Sequence, residues 1–393
     1  MLKRVVIKGF RSCHDVVLDD LGPLTVLVGR NAAGKSNILQ AIFWLTSNAT
    51  SPTRALFWAD AFAVRNVVGE DTYDYCFEMK VDLDPGPSAA EPDITETLCC
   101  QQGDRTRKEL FTRQRGDVTL ADGTTARIDS SVPSMPVLVS VLPPRSEAVR
   151  LLRPLLQDLG AVQYYPLESD VGFVDPRDDG ATIVTQSAYD HWLTQRHFTH
   201  APSSGAPMRL LDMNLTRRDE FTEAQQLLGP NGLGLVDIQV EEVPVDAKSP
   251  EGQKRFYYLG FTPISGSPPN PDAALSFHEL SSGTRRVVGI ITSLIYDHSA
   301  VMLLEHPEES VHEGLLWKLI DILQGYSDQS QVIIASHSAA VFNAVPPEAI
   351  RLVTMEEGET KVRPLSRQEL GAAATYLKEE GTLADFLEMV AED

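Results

Sequence analysis

Long apolar runs are missing from this 393-residue chain. No stretch of about 18 apolar residues occurs, so no membrane-spanning helix is expected. The opening MLKRVVIKGF lacks the longer apolar stretch and small-residue cleavage site of a signal peptide. Cysteine is scarce: Cys13, Cys76, Cys99 and Cys100 show no C-x-x-C spacing, which excludes a zinc ribbon and a disulfide framework. Free thiols in a reducing cytoplasm are the expectation. Positive charge is short as well. Lys and Arg number 34 against 55 Asp and Glu, a formal net charge of −21. A protein built mainly to grip a phosphate backbone carries the opposite balance, because counterion release supplies much of that affinity. One basic cluster (Arg105, Arg107, Lys108, Arg113, Arg115) leaves room for a small nucleic-acid patch, and interleaved acids favour a solvated charged face instead. Sustained heptads are absent, which excludes a long coiled-coil arm.

What is present is 42% apolar residues and 23% charged, the composition of a soluble globular protein. RVVIKGF reads as a strand, and a second strand ends in LTVLV, a continuous apolar run of the kind buried on both faces. GRNAAGKSN follows, then ILQAIFWL with apolar residues at helical spacing. The middle of the chain is punctuated by Pro and Gly. YDYCFEMKVDL and GDVTLADGTTARI alternate as in a small β lobe. VRLLRPLLQDLG and RDEFTEAQQLLG read as short helices stopped near glycine. RFYYLGFTPI is expected to be a strand leading back to the core, and SGSPPNPDA a loop. After Phe277, helix and strand alternate again, which predicts a parallel sheet with right-handed crossovers. One or two helices should close the chain from Leu365. The expected division is 1–46, 47–276, 277–364 and 365–393: the first part of the core, an inserted β and helical region, the second part of the core, and terminal helices.

Gly29 to Ser36 fits G-x-x-x-x-G-K-S/T. Glycines at both ends let the backbone wrap so that successive N–H groups point at phosphates. Lys35 adds charge for the outer phosphates, Ser36 offers a hydroxyl to Mg²⁺, and the helix that follows turns its positive end to the anion. The loop thus makes Asn31, Ala32, Ala33, Gly34, Lys35, Ser36 and Asn37 candidate nucleotide contacts. ELSSGTRR places Ser281, Ser282 and Gly283 at a helix N-terminus, where hydroxyl and amide groups can meet a terminal phosphate. VMLLEHPEESVH is a buried strand ending in Glu305-His306-Pro307-Glu308. A carboxylate there can hold a Mg²⁺ shell, and the next side chain can reach a water at the γ-phosphate. QVIIASHS ends another apolar strand in Ser336 and His337.

These elements, in this order, resemble ABC-type ATPases of the SMC and RecF branch, and more closely the AAA-type ATPases related to the overcoming-lysogenization-defect (OLD) family. The resemblance covers about the first 45 residues and everything after Phe277. It implies an α/β head with a mostly parallel sheet, a flanking β lobe and a compact α+β insertion without a long coiled coil. It also implies ATP and Mg²⁺ as cofactors. In IKGFRS, Phe10, Arg11 and Ser12 match a strand edge whose arginine approaches the nucleotide. Asn31 and Asn37 flank the Walker A lysine, Leu280 to Gly283 match the signature loop, and Glu305 matches the Walker B acid. Glu308 falls in the region of the D-loop, and His337 at the switch histidine. Lys35 of one protomer and Ser282 of another would then face the same ATP, closing a homodimer.

Two departures stand out. An acid pair before proline is the family pattern, but here Glu305-His306-Pro307 puts histidine where a glutamate usually polarises the attacking water. A neutral imidazole, with an ordinary pKa of about 6.5, can serve as that base or serve it poorly. General-base catalysis contributes roughly 10² to 10⁴-fold, so ATP can be bound well and hydrolysed slowly, as suits a switch. The second departure is that no Q-loop glutamine can be assigned.

His191, His197 and His200 lack metal-pair spacing, and Asp82-Leu83-Asp84 is better read as a strand end than as a nuclease DxD. No nuclease of its own is expected in the chain. The leading expectation is therefore a cytoplasmic ATP-gated dimeric switch of a prokaryotic defence system, holding a separately encoded effector such as a nuclease. The competing readings are a RecF-like DNA repair ATPase and a non-hydrolysing ATP-binding scaffold.

Overall fold

The computed structural model describes residues 1–51, 59–80, 93–129, 132–166, 183–195, 205–243, 255–264, 274–378 and 382–392. The chain divides into two compact units, one of residues 1–164, 299–305 and 323–393, the other of 165–298 and 306–322.

Two sheets build the first unit. Three strands of the smaller sheet, Leu24–Val28, Val301–Glu305 and Gln331–Ser336, have every residue buried. Such strands need cover on both faces, and they read as unbroken apolar runs for that reason. They lie in a six-stranded sheet ordered Val162–Tyr165, Val301–Glu305, Gln331–Ser336, Leu24–Val28, Ile350–Glu356 and Glu359–Pro364. Val301–Glu305, Gln331–Ser336, Leu24–Val28 and Ile350–Glu356 run parallel, and Glu359–Pro364 returns antiparallel. Helix Lys35–Thr50 packs on this sheet. Ile38, Leu39, Ile42 and Leu45 recur at helical spacing and are all buried, each worth about 1.5–3 kcal/mol relative to exposure.

The larger sheet has eight antiparallel strands, from Cys13–Leu18 through Leu2–Phe10, Ala61–Val68, Asp71–Lys80, Asp93–Gln102, Lys108–Gln114 and Asp117–Leu120 to Thr125–Arg127. This is the β lobe expected from the alternating segments. Helix Glu147–Gly160 is capped by Ser146, whose hydroxyl accepts from Val149 N. One basic residue of the lobe is not on its surface. Arg113 is fully buried, 3.2 Å from the equally buried Glu96, and donates to the carbonyls of Asp129 and Val132. Burial pushes the Glu96 carboxyl up, against the pull of Arg113. Arg107 pairs with Asp74 and Lys108 with Glu147, so the basic cluster seen in the sequence is largely spent on neighbours.

In the second unit, Phe256–Pro263 is the middle strand of a three-stranded antiparallel sheet, flanked by Ile183–Thr185 and Val236–Val243. RFYYLGFTPI therefore belongs to this separate sheet rather than leading back into the parallel core. Its two partners complete a sheet that periodicity alone could not pair. Helices Ala206–Thr216, Arg218–Leu228 and Ser282–Tyr296 pack together. Buried Asp212 ties them, accepting from Tyr189 Oη at 2.5 Å and Tyr296 Oη at 2.7 Å. Arg367–Lys378 and Leu383–Glu392 are the two terminal helices. Among the described residues there is no long coiled coil, and no helix is long and apolar enough to cross a membrane. SGSPPNPDA, Asp82-Leu83-Asp84, His197 and His200 lie outside the described residues.

Candidate nucleotide site

Leu24–Val28 delivers the chain into the Gly29–Ser36 loop, and helix Lys35–Thr50 takes it away. Close approach of neighbouring atoms explains both glycines. At Gly29 a Cβ would collide with the carbonyl oxygen of Val353, and at Gly34 with Thr360 Oγ1. Gly34 also sits at φ +99°, which side-chain-bearing residues rarely adopt. Ala32 adopts φ 64° at the crest of the loop, where Asn31 and Ala32 are exposed and Ala33 is buried. Lys35 is 5% exposed. Its ammonium donates to the carbonyls of Gly29 at 2.7 Å and Arg30 at 2.9 Å. The loop curls around that charge. A lysine held there by acceptors, at a helix start whose first N–H groups lack intrahelical partners, fits a phosphate group. Ser36 stands in the first turn, half-buried.

Arg11, at φ 50° in the turn after Leu2–Phe10, reaches this helix. Its guanidinium donates to Asn37 Oδ1 at 3.2 Å and to Gln40 Oε1. Asn37 donates to Ser12 Oγ at 2.8 Å, and Ser12 lies 2.7 Å from Thr360 Oγ1. Thr360 therefore both packs on Gly34 and holds the turn that presents Arg11.

Glu305 ends its strand 6% exposed. The register pairs Glu305 with Ala335 and Ser336 with Val28. The acid, the polar end of Gln331–Ser336 and the start of the phosphate loop are thus level along the sheet. His337 follows, exposed. Two residues that sequence reasoning missed complete this edge. Gln40 Nε2 donates to Tyr164 Oη at 3.0 Å. Burial, followed by the Glu305 charge, raises the Tyr164 pKa above its ordinary value. A carboxylate at a parallel strand end, level with the strand that enters the phosphate loop and two strands from it, is an oxygen donor of the kind that suits Mg²⁺.

The second unit holds the other candidates. Ser281 caps helix Ser282–Tyr296, its hydroxyl accepting from Thr284 N at 3.2 Å. Ser281 and Ser282 are exposed and Gly283 is buried. His306 adopts φ 42°, uncommon for a residue with a side chain. Its Nδ1 lies 3.1 Å from Glu308 Oε1. A carboxylate only accepts, so this contact places the ring proton on Nδ1.

Comparison with known proteins agrees with the motifs. The family described as “AAA domain, putative AbiEii toxin, Type IV TA system” matches residues 227–343, and a family described as “AAA domain” matches residues 4–124. An OLD nuclease of Thermus scotoductus (strain ATCC 700910 / SA-01) is 57% identical over 42 residues, 11% of this chain and 8% of that protein. The chain thus matches only a small part of that relative's length. Two solved structures are similar at low level. An Smc head domain with an extended coiled coil bound to the C-terminal domain of ScpA, derived from Pyrococcus furiosus, has TM-score 0.46 and 14% identity, covering 96% of this chain and 98% of that one. An SMC head domain from Thermotoga maritima has TM-score 0.40 and 13% identity, covering 93% and 99%.

Proposed function

We propose that this chain, of the AAA ATPase class and related to the OLD family, is an ATP-binding and ATP-hydrolysing switch. In this reading it closes as a homodimer and controls a separately encoded effector, such as a nuclease, in a prokaryotic defence system. The observation that carries the nucleotide reading is the Gly29–Ser36 loop, wrapped around the Lys35 ammonium between a fully buried strand and a helix start. Lys35 and the loop amides would hold the phosphates, and Ser36 and Glu305 the Mg²⁺. Arg11, Asn31 and Asn37 flank them. Ser281, Ser282 and Gly283 would complete the site of a second copy, bringing a helix N-terminus to ATP on Lys35 of the partner subunit. Mg²⁺ supplies charge neutralisation at the phosphates when bound. His306 then stands at the water-facing position with its proton placed by Glu308, and His337 at the switch position.

A second reading, a non-hydrolysing ATP clamp, is favoured by the identity of the residue directly after Glu305, a histidine instead of an acid. A DNA repair ATPase is less well supported, since Arg107, Lys108 and Arg113 are spent on acidic neighbours. The controlled-effector half rests on the kinship with an OLD nuclease and on the AbiEii-type AAA segment.

Steady-state turnover with Mg²⁺ tests the nucleotide half. Lys35→Ala should lower turnover by about 100-fold or more, on the scale of removing one preorganised charge-stabilising donor. Undiminished turnover in that variant would overturn it. Light scattering should show the mass doubling with ATP, and a monomer at every nucleotide condition would overturn the dimer. Pull-downs from the native host under phage challenge that recover no partner would remove the effector.

A further inference from the structure

Several cations of the first unit are matched by an acid: Arg107 by Asp74, Lys108 by Glu147 and Arg113 by Glu96. Arg145, Arg150 and Arg153 differ. All three are exposed, and none pairs with an acid among the described residues. Arg145 stands just before the Ser146 cap of helix Glu147–Gly160, and Arg150 and Arg153, three residues apart, share one face of that helix. Arg145 and Arg150 are near the positive end of the helix dipole, where an acid is favoured and a cation is not, so helix stability gives no reason for them there. The three arginines line one cleft of about 370 Å³, together with Val149, Pro144 and Pro154. The turn that carries Pro144 and Arg145 also contributes Leu142, Pro143 and Ser146 to a second cleft, of about 340 Å³. Buried Leu110, Leu120 and Leu151 give this one an apolar lining, and Asp122 and Glu147 line it too. Val141, immediately before the turn, is 64% exposed.

We infer that these two clefts, joined by one turn, dock a short segment of a partner protein, its acidic residues in the arginine cleft and an apolar side chain in the leucine cleft. A guanidinium offers a planar fork that pairs with a carboxylate through two parallel bonds. The positive helix end adds to that attraction. A nucleic acid fits less well. Phosphates running past the arginines meet Asp122 and Glu147, and a phosphate backbone has nothing to place in a leucine-lined cleft. The formal net charge of −21 also opposes a long polyanion far more than a short segment bearing a few acids. None of these residues belongs to the nucleotide site, so the assignment stands independently of that reading.

A random peptide display library panned on the full-length chain supplies the probe. Selected peptides should carry acidic residues beside an apolar one, and a fluorescent copy of one should bind in solution, read by anisotropy. Arg150→Glu combined with Arg153→Glu should weaken that binding about 100-fold, because like charges then face the acids of the peptide. Arg145→Glu alone should weaken it about tenfold. Replacing the apolar residue of the peptide by serine should cost about tenfold or more, the scale of one aliphatic side chain left unburied. The three arginines are exposed, so urea unfolding of these variants should match the wild type. Selected peptides without acids, binding unchanged in the arginine variants, or an affinity indifferent to the apolar residue each overturn the assignment. A short single-stranded oligonucleotide that binds the wild type and is lost in the double variant also overturns it, by making the arginine cleft a nucleic-acid site.

Discussion

Two loops leave buried parallel strands of the same sheet, and each contains a non-glycine residue at positive φ. Ala32 (φ 64°) lies in the loop after Leu24–Val28, and His306 (φ 42°) directly follows Val301–Glu305. The first loop is fixed by close packing around its backbone: Gly29 against the Val353 carbonyl, Gly34 against the Thr360 side chain, and the Lys35 ammonium on the carbonyls of its own loop. At the second, a side-chain pair, His306 with Glu308, accompanies the unusual conformation. A tightly packed loop admits few residues at its tight points. A loop secured by side-chain chemistry can exchange its residues if the chemistry is replaced.

The largest expected effect is at the first loop. Gly34→Ala meets both a strained backbone, costing on the order of 1–3 kcal/mol, and a collision with Thr360. ATP affinity should fall about 100-fold, since roughly 2.7 kcal/mol corresponds to that factor, and urea unfolding should shift to lower denaturant. Adding Thr360→Ala should restore only the steric part. Full restoration would mean that the positive φ costs nothing, and the contrast between the loops would fail.

At the second loop, stability and function should separate. His306→Gly relieves a left-handed conformation worth about 1–2 kcal/mol and forfeits the hydrogen bond to the Glu308 carboxylate, worth about 1.5–3 kcal/mol. Stability should therefore fall by about 1 kcal/mol or less, read by the same urea unfolding. Turnover should fall by about 100-fold, at the lower end of general-base contributions. His306→Glu should raise turnover about tenfold or more if the imidazole is a weak base. No gain would show that histidine is already competent, and a larger loss of stability in both variants would make the second loop as rigid as the first.

The two loops also differ in how openly the sequence displays them. Glycine spacing, a β-type apolar run and a helical one are local signals, so the phosphate loop and the strand ends at Glu305 and Ser336 were readable from residues alone. Strand Cys13–Leu18 was not read. Polar His14 and Asp15 interrupt its alternation, and only pairing with Leu2–Phe10 makes CHDVVL a strand. Tyr164 and Gln40 gave no signal either, because 124 residues separate them and topology alone joins them. The same holds for Thr360, 348 residues from Ser12. Arg113 looked like part of a basic surface, because nothing local reveals that Glu96 lies opposite it across a strand pair.

The smallest expected effect comes from a pair that touches neither loop and so sets the baseline for both. Glu369 receives hydrogen bonds from Arg363 and from Ser366 N, and its carboxyl is held down to about 2, chiefly by Arg363. A depressed native pKa adds stability above the unfolded value of about 4.3. That stability drains away as pH falls from there toward about 2. Arg363 is half exposed, so solvent screening keeps the contribution to about 1 kcal/mol or less. Glu369→Gln should therefore lower stability slightly at neutral pH and flatten the acid side of the unfolding profile, with ATP affinity at the wild-type value. If it weakened ATP binding as much as Gly34→Ala does, the losses at the phosphate loop would have to be assigned to general destabilisation rather than to the backbone that surrounds Lys35.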